Sequence, residues 1–497
     1  MAETEIKIGL RAGTKVRPGS SPEGREISMR RWINICMALA IVSFATVAFS
    51  ADKPNVILFM ADDMGAEALG CYNSTTCNTP NLDRLAKEGM LFENAYTSPL
   101  CTPTRVMLMT GRHPHKTGFR QLISKELDVR MPKDLVTFGS YFKNAGYATA
   151  IAGKWQLGYF DSYPEMLSEF GFDEYAMWAW RWHGKKYSRY YEPGLWTDGK
   201  FSTGTPEEYG PDKYSARMLE FIDKKKDTPF FIYYSMALTH DPFEMPPDCE
   251  AEATKFLKGN ESVKTRNFAG MTYYTDRIVG QFVDKLEEHG LTDNTLILFT
   301  ADNGTKGDII NQLKTVSVSG GKASMTEQGA RVPFIVRWPG KIAAGVHSDK
   351  MIGLVDVVPT LNAIIGAEND EKMDGQDLSH YFYGTEGKDR DHVFICLSEK
   401  HFVRDHRFRL HNDGRFYDIS TKSDMTRYSE KETTQFPEQK ERLQKIMDMY
   451  EMDQYPFSRK NDTVGTPEHR FVPEWKTELD RKKAKRDRRR AKASAGE

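Results

Sequence analysis

The sequence has few long apolar runs, no excess of charge of one sign and no recognisable internal repeat. Outside one N-terminal segment, none of its stretches is long and apolar enough to span a bilayer. The formal net charge of its 497 residues is −1, which argues against an electrostatic surface for nucleic acid. These absences exclude a multi-span membrane protein and a repeat protein, and we expect no nucleic-acid partner. A chain of this length should fold into two or three lobes.

The single long apolar run lies near the N-terminus. Residues 29–32 (Met-Arg-Arg-Trp) precede the apolar segment 33–49, which ends in the small-residue pattern Ala-Phe-Ser at 48–50. A positive start, a short apolar stretch and such a cleavage pattern are typical of a secretory signal peptide, although a membrane anchor has a similar pattern. We predict that residues 1–50 are a leader and signal peptide. The mature protein is then periplasmic or secreted, without stable membrane insertion.

Cysteine is scarce, with six residues in the whole chain. Cys36 lies in the predicted signal peptide, and Cys101 belongs to a motif described below. Export permits disulfides among the remaining four, which are Cys71, Cys77, Cys249 and Cys396. Cys71 and Cys77 are near enough in sequence to close one loop, but the sequence leaves the pairing open.

Apolar, β-rich runs alternate with helical patterns in the first three quarters of the chain. This alternation predicts an α/β fold with a mainly parallel central sheet sandwiched by helices, in a domain over residues 51–366. The clearest helices are predicted at 213–225 and 270–289, where apolar residues recur on one face. The predicted strands are Asn55–Met60, Ala148–Ala152, Phe230–Tyr234, Thr295–Thr300 and Pro333–Val336.

After Gly366 the pattern weakens and becomes polar, which predicts a smaller C-terminal α+β subdomain over residues 367–475. A strand is expected at Val393–Leu397, and Asp413-Gly414 between apolar runs predicts a hairpin turn. The tail 476–497 is strongly basic, with nine basic residues against one acidic residue between 481 and 492. We expect it to be solvated or disordered, or else to bind a polyanion.

Two polar pairs follow predicted strands. Asp62-Asp63 comes after the first strand and Asp302-Asn303 after the fourth. Because ligands collect at the carboxyl ends of strands in open α/β sheets, these four side chains are expected to converge. Carboxylate and amide oxygens without a thiolate or histidine cluster suit calcium or magnesium better than zinc.

The most informative stretch is Cys-Thr-Pro-Thr-Arg at 101–105, followed by Met-Thr-Gly-Arg at 109–112. It resembles the maturation signature of type I sulfatases, in which a cysteine spaced C-x-P-x-R is oxidised to formylglycine. The resemblance covers roughly residues 54–418 and implies an arylsulfatase-like member of the alkaline phosphatase superfamily, with a catalytic sulfatase domain at 51–366. It also includes Asn81–Leu85, Gly153–Trp155, Gly320–Lys322 and Arg331–Pro333.

The resemblance implies a site and a maturation partner. One calcium ion would be held by Asp62, Asp63, Asp302, Asn303 and the modified Cys101. A formylglycine-generating enzyme would be needed to oxidise Cys101.

By the same resemblance, four cationic or ionisable residues complete the catalytic machinery. Arg105 would steady the modified residue and offset the acidic cluster. Lys154, His240 and Lys322 match positions that bind the sulfate oxygens or protonate the leaving alcohol. Fixed cations aimed at an anion in transit are the expected source of transition-state stabilisation.

Formylglycine is an aldehyde, and its hydrated form offers two hydroxyl groups on one carbon, which an unmodified thiol does not. One hydroxyl attacks sulfur, and the second then loses its proton and expels sulfate as the aldehyde forms again. No water therefore has to attack the sulfated intermediate.

The sequence departs from the family pattern in ways that concern proton transfer. Gln156 stands where a histidine usually assists the formylglycine hydroxyl, and glutamine cannot exchange a proton near neutral pH. His113 and His115 are nearby in sequence and could compensate or bind substrate, or have a structural role. Thr239 precedes His240 where relatives commonly carry proline, and Thr104 replaces the more frequent serine.

Between Tyr175 and Trp196 the sequence is rich in aromatic and cationic residues. Sugar rings stack on indoles and sulfates pair with Arg or Lys, so a carbohydrate subsite is one interpretation, and a hydrophobic lid is the other. The expected substrate is a small-molecule or oligosaccharide sulfate ester. The residues concerned are Trp178, Trp180, Arg181, Trp182, His183, Lys185, Lys186 and Arg189.

Two other functions fit parts of the pattern. A formylglycine enzyme of this kind could instead hydrolyse phosphonate monoesters or phosphodiesters, because phosphoryl and sulfuryl groups have similar shapes. A non-catalytic binder of sulfated glycans would agree with Gln156 and the basic tail, but it would have no need for C-x-P-x-R beside four metal ligands.

Overall fold

Three segments of the chain are described by the structure, a computed structural model: residues 53–123, 130–419 and 431–454. The described residues from Pro54 onward belong to one compact unit. The predicted signal peptide and the basic tail lie outside the described residues. Among the described helices, none is both long and apolar enough to cross a membrane.

The described residues form nineteen strands, ten of which make the central sheet. The strands are β1 (Asn55–Ala61), β2 (Met90–Tyr96), β3 (Ala148–Gly153), β4 (Glu174–Trp178), β5 (Arg181–Trp182), β6 (Lys185–Lys186), β7 (Gly194–Thr197), β8 (Lys200–Thr203), β9 (Phe230–Ser235), β10 (Thr295–Ala301), β11 (Ile310–Gln312), β12 (Ser317–Ser319), β13 (Phe334–Arg337), β14 (Val346–Gly353), β15 (Val393–Leu397), β16 (Lys400–Arg404), β17 (Phe408–His411), β18 (Phe416–Asp418) and β19 (Lys431–Glu432). The order of the central sheet is β14-β2-β13-β10-β1-β9-β3-β4-β7-β8. All five strands that the sequence predicted for the main domain are confirmed.

The middle of this sheet is parallel and its flanks are mixed. Strands β10, β1, β9, β3 and β4 run parallel to one another, while β13 pairs antiparallel with β10 and β7 pairs antiparallel with β4. All seven residues of β1 are buried, because a central strand is covered on both faces and therefore reads as a continuous apolar run. The predicted fold, with a mainly parallel sheet, is confirmed.

Helices flank the sheet. They are α1 (Pro80–Glu88), α2 (Cys101–Thr110), α3 (Pro114–Thr117), α4 (Phe138–Asn144), α5 (Met166–Glu169), α6 (Gly210–Lys225), α7 (Glu250–Ala253), α8 (Val263–Glu288), α9 (Glu327–Ala330), α10 (Val357–Ile365), α11 (Ser379–Tyr383) and α12 (Pro437–Asp448). Helix α8 begins at Val263, whereas the sequence predicted a start at Gly270. The reason is a side-chain cap, in which Ser262 accepts a hydrogen bond from the Thr265 N–H and stabilises a mainly polar first turn that the apolar pattern does not show.

The C-terminal region forms a separate antiparallel sheet of strands β15 to β19 with helix α12 beside it. Leu443 and Met447 of α12 pack on the sheet residues Phe394, Val403 and Leu410. The predicted strand at 393–397 and the hairpin turn at Asp413-Gly414 are confirmed. The predicted boundaries of this subdomain at 367 and 475 stay a prediction.

The five described cysteines are all free thiols. The loop between Cys71 and Cys77 is therefore not closed by a disulfide. Instead, the Cys77 thiol lies 3.9 Å from Oδ1 of Asn311, and burial raises its pKa to about 12.

Candidate active site

The two polar pairs meet at the carboxyl edge of the sheet. Because β1 and β10 are parallel neighbours with Ala61 opposite Ala301, the residues that follow them emerge side by side. The Asp63 backbone N–H donates to Oδ1 of Asp302 at 3.0 Å, and Nδ2 of Asn303 donates to Oδ1 of Asp63 at 2.9 Å. Asp62, Asp63, Asp302 and Asn303, called the acid cluster below, are all fully buried.

The acid cluster has the chemistry of a divalent-cation site. Oδ1 of Asn303 is buried and has no hydrogen-bond partner among the described residues, so this oxygen is available to a cation. Ligand atoms of Asp62, Asp63 and His240 all lie within 4.8 Å of one another. A set of three carboxylates and one amide oxygen fits a hard ion such as Ca²⁺.

Three cations surround the acid cluster. Nζ of Lys154, which follows β3, lies 2.8 Å from both oxygens of Asp62. Nζ of Lys322 lies 2.6 Å from Oδ1 and 2.7 Å from Oδ2 of Asp63. Arg105 donates from Nε and Nη2 to Oδ2 of Asp302, at 3.1 and 2.7 Å. The structure thus brings all three predicted cations to the acids.

The electrostatics of the cluster show why it would accept a cation. Burial alone would raise the pKa of Asp62, but neighbouring cations, Lys154 first among them, outweigh burial and hold that pKa well below its ordinary value. For Asp302, burial and repulsion by Asp62 raise the pKa to about 6. A bound divalent ion would relieve this repulsion between carboxylates.

Cys101 is the first residue of α2 and lies beside these charges. It is buried, with 1% of its surface exposed, and Arg105 follows it one helical turn later on the same face. Burial alone would lower the pKa of Lys322, but the Asp63 carboxylate and, after it, negative charge at position 101 outweigh burial and raise that pKa. Position 101 is therefore within electrostatic reach of Lys322, and of Arg105 as well.

Gln156 makes the side-chain contact with position 101 that the family pattern gives to a histidine. Sγ of Cys101 lies 3.7 Å from Oε1 of Gln156, whose backbone is left-handed at φ 56°. The amide can hydrogen-bond to a group at position 101 but cannot take up its proton.

His240 follows β9 and faces the acid cluster from the solvent side. Its Nε2 lies 3.7 Å from Oδ2 of Asp63, and its Nδ1 lies 3.0 Å from Oδ1 of Asp241. The side chain is 18% exposed, so this ring is reachable from outside.

His115 packs among aromatic rings rather than among the charged groups of the site. Its ring packs edge-on against Phe394 at 5.3 Å and Tyr450 at 6.4 Å, and it stacks on His113 at 5.8 Å. Burial lowers its pKa to about 4, so the ring is neutral. The structure thus places His115 against the C-terminal subdomain, and substrate binding by this residue stays a prediction.

Two residues of the site were not assigned to it from the sequence. Arg189 was grouped with the aromatic stretch, but its Nη1 donates to Oδ2 of Asp62 at 3.1 Å. Ser235 accepts a hydrogen bond from Arg105 and donates to the Lys154 carbonyl at 2.7 Å. The position of Ser235 at the carboxyl end of β9 was a signal that could have found it; Arg189 follows a hairpin and gave no such signal.

Most indoles of the aromatic stretch pack against neighbouring rings. Trp182 stacks on Phe201 with centroids 4.4 Å apart, and Trp178 is buried. Lys185 and Lys186 are exposed on the short β5–β6 hairpin. Much of the aromatic part of the stretch is therefore used in packing, while Lys185 and Lys186 remain accessible.

Comparison with known proteins agrees with this geometry. Residues 54–367 match the family Sulfatase, and residues 321–455 match the C-terminal region of N-sulphoglucosamine sulphohydrolase. The chain is 32% identical to N-acetylgalactosamine-6-sulfatase of Sus scrofa over 361 residues, which cover 67% of this chain and 66% of the relative. It is 31% identical to human arylsulfatase A, over 71% of this chain and 72% of the relative.

Solved structures share the fold. The crystal structure of Ps i-CgsB in complex with k-i-k-neocarrahexaose has a TM-score of 0.70 and 26% identity, and covers 82% of this chain and 96% of that one. PsFucS1 sulfatase from Pseudoalteromonas sp. has a TM-score of 0.66 at 23% identity, over 88% of this chain and 96% of that one. The resemblance drawn from the stretch 101–112 is confirmed, and this chain belongs to the sulfatase family.

Proposed function

We propose that this protein hydrolyses sulfate esters with a formylglycine at position 101 and one bound calcium ion. The observation that carries the proposal is the placement of Cys101, at the start of a helix, among the acid cluster and three cations. The buried Asn303 oxygen without a hydrogen-bond partner among the described residues supports the cation. A metal at this place would supply positive charge against the negative charge that develops during sulfuryl transfer.

The chain's own residues divide the remaining work. One hydroxyl of the hydrated aldehyde at position 101 attacks sulfur, the sulfur–oxygen bond to the alcohol breaks, and the alcohol oxygen takes a proton. The second hydroxyl then loses its proton, the carbonyl forms again and sulfate leaves. Gln156, 3.7 Å from Sγ of Cys101, would orient the hydroxyls without exchanging their protons.

The cations would act on the sulfate. Lys154 and Lys322, which pair with Asp62 and Asp63 in this structure, would turn toward sulfate oxygens once the acids hold a cation. His240 is partly exposed and near Asp63, so it is placed to protonate the leaving alcohol.

We further propose that the substrate is a sulfated carbohydrate and that the protein acts after export. The names of the relatives support a sulfated sugar, since they include N-acetylgalactosamine-6-sulfatase, and Ps i-CgsB was solved with a bound carbohydrate. The exposed Lys185 and Lys186 add accessible positive charge in the stretch that carries Arg189.

The decisive experiment combines mass measurement with kinetics. Protein from a host that contains a formylglycine-generating enzyme should carry an aldehyde in place of the Cys101 thiol, detected on the peptide by mass spectrometry. Matured protein should hydrolyse an aryl sulfate with a higher kcat/KM than an aryl phosphodiester or phosphonate ester.

Each alternative gives a different outcome. An unmodified thiol in such a host would favour a non-catalytic binder of sulfated glycans. A higher kcat/KM on the phosphorus esters would replace the sulfatase assignment by a phosphodiester or phosphonate hydrolase.

A further inference from the structure

We propose that Arg189 determines substrate specificity by binding a second oxyanion of the substrate, a carboxylate or another sulfate, next to the sulfate that is hydrolysed. The inference rests on the proposed function, because it concerns the substrate of the same site. It goes beyond that function in assigning a residue and a charge pattern to the substrate.

Arg189 is held firmly at the edge of the acid cluster. Its guanidinium carbon lies 4.1 Å from the centroid of the Trp178 ring, and the Trp178 indole N–H donates to the Tyr187 carbonyl at 3.1 Å. The Arg189 carbonyl in turn accepts a hydrogen bond from the Tyr214 hydroxyl at 3.4 Å. A guanidinium that is fixed before a ligand arrives loses little freedom on binding it.

Most of the hydrogen-bonding capacity of Arg189 is unused. Within the described part of the chain, its guanidinium makes one hydrogen bond, to Oδ2 of Asp62. The group has five N–H donors, and its side chain is 10% exposed, so part of it is reachable from the solvent. A planar oxyanion that enters from the solvent side matches the geometry of these unused donors.

Asp62 does not require Arg189 as its counter-charge. In the calcium-loaded protein, a divalent ion held by the acid cluster would itself neutralise Asp62, whose two oxygens otherwise lie 2.8 Å from Nζ of Lys154. Arg189 is then available to another anion.

The charge balance of the site points in the same direction. Three carboxylates of the acid cluster face three cations, Arg105, Lys154 and Lys322, so these groups already balance. Arg189 adds a fourth positive charge, and a divalent ion would add two more. A substrate with a single sulfate ester brings one negative charge, whereas a substrate with a second oxyanion complements more of this surplus.

The test measures binding of ligands that cannot be hydrolysed. Matured, calcium-loaded wild type and Arg189→Ala are titrated by ligand-observed NMR with benzenesulfonate, which has one anionic group. The same titrations use meta-sulfobenzoate, which adds a carboxylate, and meta-benzenedisulfonate, which adds a second sulfo group. These two dianions distinguish a carboxylate from a sulfate as the second group.

We expect the wild type to bind at least one dianion about tenfold or more tightly than benzenesulfonate, which is the size expected for one charge-assisted contact. Arg189→Ala should lose this preference, and Arg189→Lys should keep part of it. Lys200→Ala, which removes an exposed cation on the neighbouring strand β8, is the matched control and should keep it fully. If Arg189→Ala does not fold, Arg189→Gln replaces it, because its side-chain stem still covers Trp178.

Two outcomes would overturn the inference. One is a wild type without preference for either dianion, or a preference that survives in Arg189→Ala. The other is loss of calcium affinity in Arg189→Ala, measured by isothermal titration calorimetry, since this would place Arg189 in the metal site. Turnover of an aryl sulfate by the wild type is measured separately, so an inactive wild type counts against the proposed function, while the binding preference still decides the role of Arg189.

Discussion

Two buried networks of charged side chains differ in how their carboxylates are paired. The acid cluster combines three carboxylates and an amide, and its Asn303 oxygen has no hydrogen-bond partner among the described residues. The second network, called the junction network below, centres on Glu327 of α9. Oε1 of Glu327 accepts a hydrogen bond from Nε of Arg404 at 2.8 Å, and Oε2 of Glu327 accepts one from the Tyr96 hydroxyl at 2.9 Å. Arg409 approaches Glu327 at 3.5 Å.

The difference is the one expected between a binding site, as proposed for the acid cluster, and a structural ion pair. In the junction network a single carboxylate faces two arginines of the C-terminal sheet, and both of its oxygens are bonded. In the acid cluster the carboxylates lie beside one another, which raises the pKa of Asp302. Burial of charge is common to both, so it does not identify function by itself. A binding site is indicated instead by an excess of like charge together with a buried oxygen that has no hydrogen-bond partner.

The largest expected effect is loss of activity on replacing the nucleophile. Cys101→Ala removes the group that becomes formylglycine, so kcat/KM for an aryl sulfate should fall at least about a thousandfold. The thermal midpoint should change little, because the side chain is small. Cys249→Ala is the control for loss of a buried thiol and should retain activity. Activity in purified Cys101→Ala would refute position 101 as the nucleophile.

Removing the centre of the junction network should affect stability rather than chemistry at the site. Glu327→Ala leaves Arg404 buried without its carboxylate, and the free energy of unfolding should decrease by about 3–5 kcal/mol. Urea denaturation measures this change. Glu220→Ala, which removes an exposed partner of Lys224, should alter stability little. Equal effects of the two replacements would show that the junction network does not hold the subdomain in place.

Calcium should stabilise the acid cluster and leave the junction network unaffected. At a free calcium concentration about 100 times the dissociation constant, the wild type should gain about 2.7 kcal/mol in unfolding free energy. Asp302→Asn removes one ligand charge and should lose most of this gain, whereas Glu327→Ala should keep it. Calorimetric melts with calcium and with a chelator test this difference. A calcium effect that is unchanged in Asp302→Asn would place the ion elsewhere.

The smallest expected effect per replaced residue concerns acid and the two histidines that pack against the C-terminal sheet. Burial lowers the pKa of His113 to about 3 and of His115 to about 4, below the ordinary value of 6.5. A histidine whose folded pKa is lowered supports the fold while it is neutral. Its contribution is complete above about pH 6.5 and is lost as the pH falls from there toward 4.

At pH 5 each of these two histidines should cost about 2 kcal/mol of unfolding free energy relative to pH 7.5. The measurement is urea denaturation across this range. His113→Gln should make the decrease in unfolding free energy between pH 7.5 and pH 5 smaller by about 2 kcal/mol, and an unchanged decrease would assign the acid sensitivity to other groups.

Local sequence patterns were sufficient for the central strands but not for every helix end. The buried strands appear as apolar runs because their burial on both faces is a property of consecutive residues. The first turn of α8 depends on a single side-chain hydrogen bond from Thr265 to Ser262, which the apolar pattern does not record.

The candidate site was foreseen where its residues follow strands or belong to a motif. Asp62 and Asp302 lie at strand ends, and parallel pairing of β1 with β10 brings such ends together. The positions of Arg189 and His115 were harder to predict from the sequence, because each residue lies on a connecting segment whose path is set by contacts with residues far away in the chain. Arg189 turns inward to Asp62 over Trp178, and His115 turns to Phe394.

Sequence patterns alone predicted the central strands, the family through the motif at 101–105, and the candidate oxygen ligands. The three-dimensional contacts were needed to show which cation pairs with which carboxylate, and that Gln156 contacts position 101. The physical reason is range: hydrophobic periodicity and motif spacing act between residues near in sequence. Charge pairing depends on distances of about 3 Å between residues far apart in the chain, which exist only after the sheet has formed.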